Sequence, residues 1–184
     1  LDRNDMQITA SAFSSPIGGA DPFDSEGVRF NCILEFADGS GEVKLSANDP
    51  NIQPVLNYRY LELDRDLERL RESVRITVRL LEDQAFGHIV AERLQPTDED
   101  LATDENLDKW MRKTVFNTTH ASGTCKIGPA SDPLAVVDQH LNVHGLRNIK
   151  IADASVMPNV IRANTNCTTI MIGERCADWI KAGQ

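Results

Sequence analysis

The chain lacks any apolar run near the ~20 residues that a membrane-spanning helix requires. Its opening, Leu1-Asp2-Arg3-Asn4-Asp5, lacks the basic-then-apolar pattern of a secretion signal. It does not begin with Met, which truncation, cleavage or simple removal of the initiator Met would each produce. Basic charge is short: 19 Lys and Arg stand against 28 Asp and Glu, a formal net charge of -9. Surfaces that grip nucleic acid or anionic lipid need clustered cations, so neither partner is expected. Aromatic residues are only 5% of the chain, and its strands show no evident cage for a quaternary ammonium group. The four cysteines, Cys32, Cys125, Cys167 and Cys176, contain no Cys-x-x-Cys pair and read as reduced thiols of a cytoplasmic protein. No Walker loop, Gly-x-Ser-x-Gly elbow or His-Glu-x-x-His helix is present, which removes support for phosphoryl transfer, serine hydrolysis and zinc proteolysis. Two sequons, Asn117-Thr118-Thr119 and Asn166-Cys167-Thr168, matter only in a secretory compartment and are taken as chance.

What is present is patterned for an ordered chain large enough to bury a core, 184 residues with 41% hydrophobic residues. Residues 6–11 read as a short strand and 28–36 as a longer one, joined by a Gly, Pro, Ser and Asp-rich connector at 14–25. Asp38-Gly39-Ser40-Gly41 reads as a turn leading to 42–45 as the second strand of a hairpin. That glycine pair is not a dinucleotide fingerprint, because Lys44 stands where the third glycine belongs. From Asp64 the period changes: Leu67, Leu70, Val74, Val78 and Leu81 share a helical face, with Arg65, Glu68, Arg69, Glu72 and Arg79 on the solvated side and Asp64 as the expected N-cap. Residues 97–113 form a second helical region with Leu107, Trp110 and Met111 as its apolar stripe, and Thr103 placed to cap a segment within it. Residues 148–152 read as a strand entering an Asp153-Ala154-Ser155 loop. Residues 168–181 read as a helix with Ile170, Gly173, Ala177 and Ile180 on one side and Cys176 adjacent.

Four histidines occur, at 88, 120, 140 and 144, and a lone His is ordinarily a surface or satisfied core group. His120 stands apart because Ala121-Ser122-Gly123-Thr124 follows it, small residues that let a flat ring approach the backbone. Asp153 is either a ligand residue beyond the carboxyl end of a strand or the start of a turn. Asn164-Thr165-Asn166-Cys167-Thr168 precedes the last helix, whose first amides and dipole favour an anion or electron-rich oxygen. An ordinary cap by Asn166 or Thr168 explains the same residues more cheaply, so by itself this motif is a weak signal. His140 and His144 are four apart, but Leu141-Asn142-Val143 and Gly145 suggest strand and turn, so no metal site is expected there.

The order of motifs is more specific than any one of them: His120-Ala-Ser-Gly-Thr-Cys-Lys-Ile-Gly128, Val137-Asp138 through Gly145-Leu146, Ile151-Ala-Asp-Ala-Ser-Val-Met-Pro158, Asn164-Thr-Asn166, and Ile172-Gly-Glu-Arg-Cys-Ala-Asp178. This order resembles the C-terminal signature of the glucose-methanol-choline (GMC) oxidoreductases, and residues 41–61 resemble that family's substrate domain more loosely. The resemblance implies an α+β fold, an antiparallel sheet backed by helices plus a C-terminal strand-loop-helix piece that completes an FAD-binding α/β domain. It places a substrate-binding domain at 1–124 and the C-terminal segment of the FAD domain at 125–184, with the family's Gly-rich N-terminal FAD-binding half absent from this chain.

The resemblance implies FAD-dependent oxidation of an alcohol, with hydride passing to flavin N5 and an electron acceptor of unspecified kind. His120 matches the family's catalytic His. Asn164 matches a second position that is Asn in choline-oxidising members and His in others. Asp153 and Ala154 match residues that meet the FAD ribityl and diphosphate region, and Thr165 and Asn166 match residues whose backbone approaches the flavin ring. Two other functions share the scaffold: a hydroxynitrile lyase, whose branch generally carries His where Asn164 stands, and a catalytically inactive binding domain.

Overall fold

The computed structural model of the chain describes residues 4–11 and 27–184; the expected connector at 14–25 lies outside the described residues. The chain divides into two compact units, residues 1–41 with 58–116, and residues 42–57 with 117–184. The fold is mixed α and β, with small antiparallel sheets and helices, as expected for the α+β class.

In the first unit, β1 (Met6–Ser11) pairs antiparallel with β2 (Arg29–Leu34), from Met6 opposite Leu34 to Ser11 opposite Arg29. Met6 and Cys32 pack against α1 (Asp64–Leu81), which buries Leu67, Leu70, Val74 and Val78 on the face its periodicity marks. Each such burial is worth roughly 1.5–3 kcal/mol. Leu61, Leu107 and Met111 complete this core, with Leu107 fully buried. The second helical region is two helices, α2 (Asp98–Leu101) and α3 (Asp104–Thr114), because Thr97 and Thr103 each start a new helix. Thr97 and Asp100 form a reciprocal capping box, and the Thr103 hydroxyl accepts from Asn106 N–H at 3.1 Å, as expected of Thr103. Arg71 ties α1 to α3 through two hydrogen bonds to Asp108, at 2.8 and 2.9 Å.

Three local expectations are corrected. The hairpin of 28–36 with 42–45 does not form: β3 (Glu42–Lys44) pairs with β4 (Val55–Asn57), and β2 is paired with β1. The cause is Asp66, whose carboxylate accepts from Asp38 N–H at 2.9 Å and Gly39 N–H at 2.8 Å and pins the turn to α1. Phe36, at φ 52, has already broken the extended run. The N-cap of α1 is Leu63, without a side-chain cap bond, so Asp64 is the first helical residue instead. Arg69 is buried rather than solvated, because it bonds Asp66 at 2.5 Å and the Phe36 carbonyl at 3.3 Å and lies 3.8 Å from Asp5.

In the second unit, Val137, Leu141, Val156 and Cys176 form the core, with Ile127, Ile151, Ile172 and Trp179 packed against it. The last helix, α4 (Asn166–Lys181), starts two residues earlier than the sequence suggests and buries its Cys176 side, leaving Ile170 and Ile180 exposed. The expected strand at 148–152 narrows to one antiparallel bridge, Asn142 to Lys150, flanked by backbone bonds from Val143 N–H to Ile149 and from Ile151 N–H to Leu141. No helix among the described residues is long and apolar enough to cross a membrane.

Candidate functional site

The site lies within the second unit and is assembled by backbone pairing of two motif segments. Gly123 N–H donates to Ala154 O at 3.3 Å, Cys125 N–H to Ser155 O at 2.9 Å and Ile127 N–H to Val156 O at 2.8 Å. The segment after His120 is thus laid along the Asp153 loop. Gly123 takes φ +84, and a Cβ there would meet Met157 O at 3.3 Å, so this close approach requires glycine.

Asp138 organises the turn at 138–142, which pairs with the segment leading into that loop. Its carboxylate accepts from the backbone N–H of His140 at 2.8 Å and Asn142 at 2.9 Å, and from the Asn142 amide. Burial pushes the Asp138 carboxyl up, but these donors and the His140 charge outweigh it and hold the pKa below the usual carboxylate value. Lys150 then donates to His140 O at 2.8 Å and Asn142 Oδ1 at 2.7 Å, fixing the bridge that leads to Asp153. The histidines of this motif have packing roles: His140 meets Trp179 edge-on, and His144 Nε2 donates to Gly128 O at 3.0 Å.

The third segment brings two side chains onto the His120 ring. Asn164 Nδ2 donates to His120 Nε2 at 2.9 Å, and Thr165 Oγ1 lies 3.3 Å from His120 Nδ1. His120 is half-buried, Asn164 exposed and Thr165 buried. An amide nitrogen can only donate, so Nε2 presents its lone pair toward the exposed side. This pair can therefore accept a proton at Nε2 and donate a hydrogen bond to the same incoming oxygen.

Neither Asn166 nor Thr168 caps α4. The N-cap position is Thr165, and its hydroxyl makes no cap bond to the helix. The helix ladder begins with Thr169 N–H to Thr165 O at 2.9 Å, so the amides of Asn166, Cys167 and Thr168 precede its first rung at the positive end of a 16-residue helix. Asp153 does start a turn: its carboxylate accepts from Ser155 N–H at 2.8 Å and opens the 3-10 turn Ala154–Val156. That bond engages one carboxylate oxygen and leaves the side chain exposed beside Ala154. Sequence reasoning assigned Thr165 only a backbone role; a threonine ahead of a helix reads as a cap, and nothing local distinguishes a hydroxyl turned to a distant ring.

Comparison with known proteins gives a consistent result. The profile described as GMC oxidoreductase matches residues 37–173. The oxygen-dependent choline dehydrogenase of Proteus mirabilis (strain HI4320) is 38% identical over 141 residues, 77% of this chain and 25% of the relative. That of Vibrio vulnificus (strain YJ016) is 33% identical over 162 residues, 88% of this chain and 29% of the relative. Among solved structures, a formate oxidase variant from Aspergillus oryzae RIB40, studied for FAD modification, superposes with TM-score 0.77 at 28% identity, over 90% of this chain and 29% of that one. Pyridoxine 4-oxidase from Mesorbium loti shares the fold, with TM-score 0.83 at 21% identity, over 95% of this chain and 34% of that one. The chain thus spans a quarter to a third of the length of these relatives.

Proposed function

Since the chain belongs to the GMC oxidoreductase family, we propose that it forms the C-terminal part of an FAD-dependent enzyme that oxidises an alcohol to an aldehyde or ketone. The observation that carries this reading is the bond between Asn164 Nδ2 and His120 Nε2, a base and a donor meeting at one exposed point. In that enzyme residues 1–124 serve as the substrate-binding domain and residues 125–184 as the C-terminal segment of the FAD domain, joined to an N-terminal FAD-binding half.

The donor set fits a flavin. The first-turn amides of α4 and the backbone of Thr165 and Asn166 are suited to the negative charge that a reduced flavin gathers near N1 and the C2 carbonyl. Asp153 and Ala154 lie on the loop paired with the His120 segment, suited to the ribityl and diphosphate region. When bound, FAD supplies the hydride acceptor at N5.

An alcohol releases hydride from carbon readily only as its hydroxyl proton departs, so the oxygen must meet a base within hydrogen-bond reach. The hydroxyl donates to His120 Nε2, taking the place of the Asn164 amide there. Exposed Asn164 then turns its Nδ2–H onto the same oxygen. As the C–H bond breaks, the proton passes to Nε2 and the growing negative charge on oxygen is held by that amide and the imidazolium. His120 and Asn164 leave the identity of the alcohol to other residues.

The test uses the full-length flavoprotein containing this chain, without oxygen, and a panel of alcohols that includes choline. Bleaching of the oxidised flavin band with formation of one aldehyde or ketone supports the reading. Cleavage of a cyanohydrin with the flavin left oxidised identifies the lyase function, and an indifferent flavin identifies the binding-domain function.

A further inference from the structure

We infer that Thr165 is a positioning residue whose side-chain hydroxyl accepts the Nδ1–H of His120 and so fixes the imidazole tautomer that leaves Nε2 free to take a proton. This rests on the catalytic reading of His120. A neutral imidazole has one donor and one acceptor nitrogen. Asn164 Nδ2 donates to Nε2 at 2.9 Å, so the ring proton resides on Nδ1, and Thr165 Oγ1 stands 3.3 Å from it.

Two observations set this contact apart from incidental packing. A threonine at a helix N-cap ordinarily turns its hydroxyl onto the first-turn amides, a bond worth about 0.5–2 kcal/mol. Thr165 occupies that position with helical backbone angles, φ -78 and ψ -16, and makes no such bond, so its hydroxyl is left for the ring. The residue is also held from behind: its carbonyl accepts from both the backbone N–H of Thr169 at 2.9 Å and the Thr169 hydroxyl at 2.8 Å. Buried Thr165 is therefore anchored to α4, and through it the helix sets the orientation of a ring 45 residues earlier in the chain.

A ring without this acceptor can turn over or shift its proton to Nε2, and either change removes the base from the exposed side. The experiment compares wild type, Thr165→Val and Thr165→Ser in the full-length flavoprotein. With 15N-labelled histidine and no alcohol present, wild type should show His120 protonated on Nδ1 and bare on Nε2, the signal being assigned by its loss in His120→Gln. Thr165→Val should lose that single tautomer and slow flavin reduction by alcohol about tenfold, the scale of one neutral hydrogen bond, without weakening alcohol binding. Thr165→Ser should restore both, and equal flavin content shows that each variant is folded. A wild-type His120 protonated on Nε2, or a Thr165→Val protein that keeps the Nδ1–H tautomer and its reduction rate, overturns the inference. Failure of the catalytic reading shows separately, as flavin reduction indifferent to His120→Ala, because the tautomer is recorded without substrate.

Discussion

Replacing Asp66 with Ala should destabilise the first unit more than any surface change to α1. Its carboxylate accepts from Asp38 N–H, Gly39 N–H and Arg69 Nη2, at 2.9, 2.8 and 2.5 Å, while both Asp66 and Arg69 are buried. Removing the carboxylate leaves a buried guanidinium without its main partner and two turn amides without an acceptor. Breaking one side of such a pair costs about 3–5 kcal/mol. With a urea slope of about 2 kcal/mol per M, the midpoint should fall by about 1.5–2.5 M. The chain has two tryptophans, and in a Trp179→Phe background Trp110, packed against the first core, reports on this unit by fluorescence. Burial raises the Asp66 pKa, but the Asp38 and Gly39 amides and Arg69 outweigh it and hold it below the usual carboxylate value. A depressed folded pKa contributes stability that is present above the unfolded pKa of about 3.9 and is lost as pH falls through the lower folded value. The gap between wild type and Asp66→Asn should therefore be full near neutrality and shrink below about pH 4. An Asp66→Ala midpoint within about 0.3 M of wild type would refute the role given to this pair.

Two further outcomes follow from packing. Leu107→Ala, at a fully buried position, should cost about 2–5 kcal/mol, read by the same Trp110 signal. Gly123→Ala should cost about 1–2 kcal/mol, because a Cβ is strained at φ +84 and meets Met157 O. Urea unfolding followed through Trp179, packed in the second core, measures that loss, and a lower rate of flavin reduction should accompany it because His120 lies on the same segment.

Legibility in the sequence tracked how local each cause was. The stripe on α1 and the Thr103 cap depend on residues three or four apart and could be read directly. The burial of Arg69 could not, because its position beside the stripe is settled by Asp66, Phe36 and Asp5, the last two far away in the chain. The β3–β4 pairing escaped because each strand has only three residues and a side chain on α1 holds the turn that local pattern reads as a hairpin. In the site, small residues after His120 singled it out, but Asn164 lies 44 residues away and was reached through the order of family motifs. The Thr165 hydroxyl was hidden, since the same residue type at the same place normally caps a helix.

The most direct test of the central claim is the rate at which alcohol reduces the bound flavin, measured by anaerobic stopped flow in the full-length flavoprotein with wild-type His120 and with His120→Ala. If Nε2 takes the hydroxyl proton, the substitution lowers that rate by at least about 10²-fold while the protein keeps its flavin. A rate within about twofold of wild type would contradict the account and return His120 to a structural role.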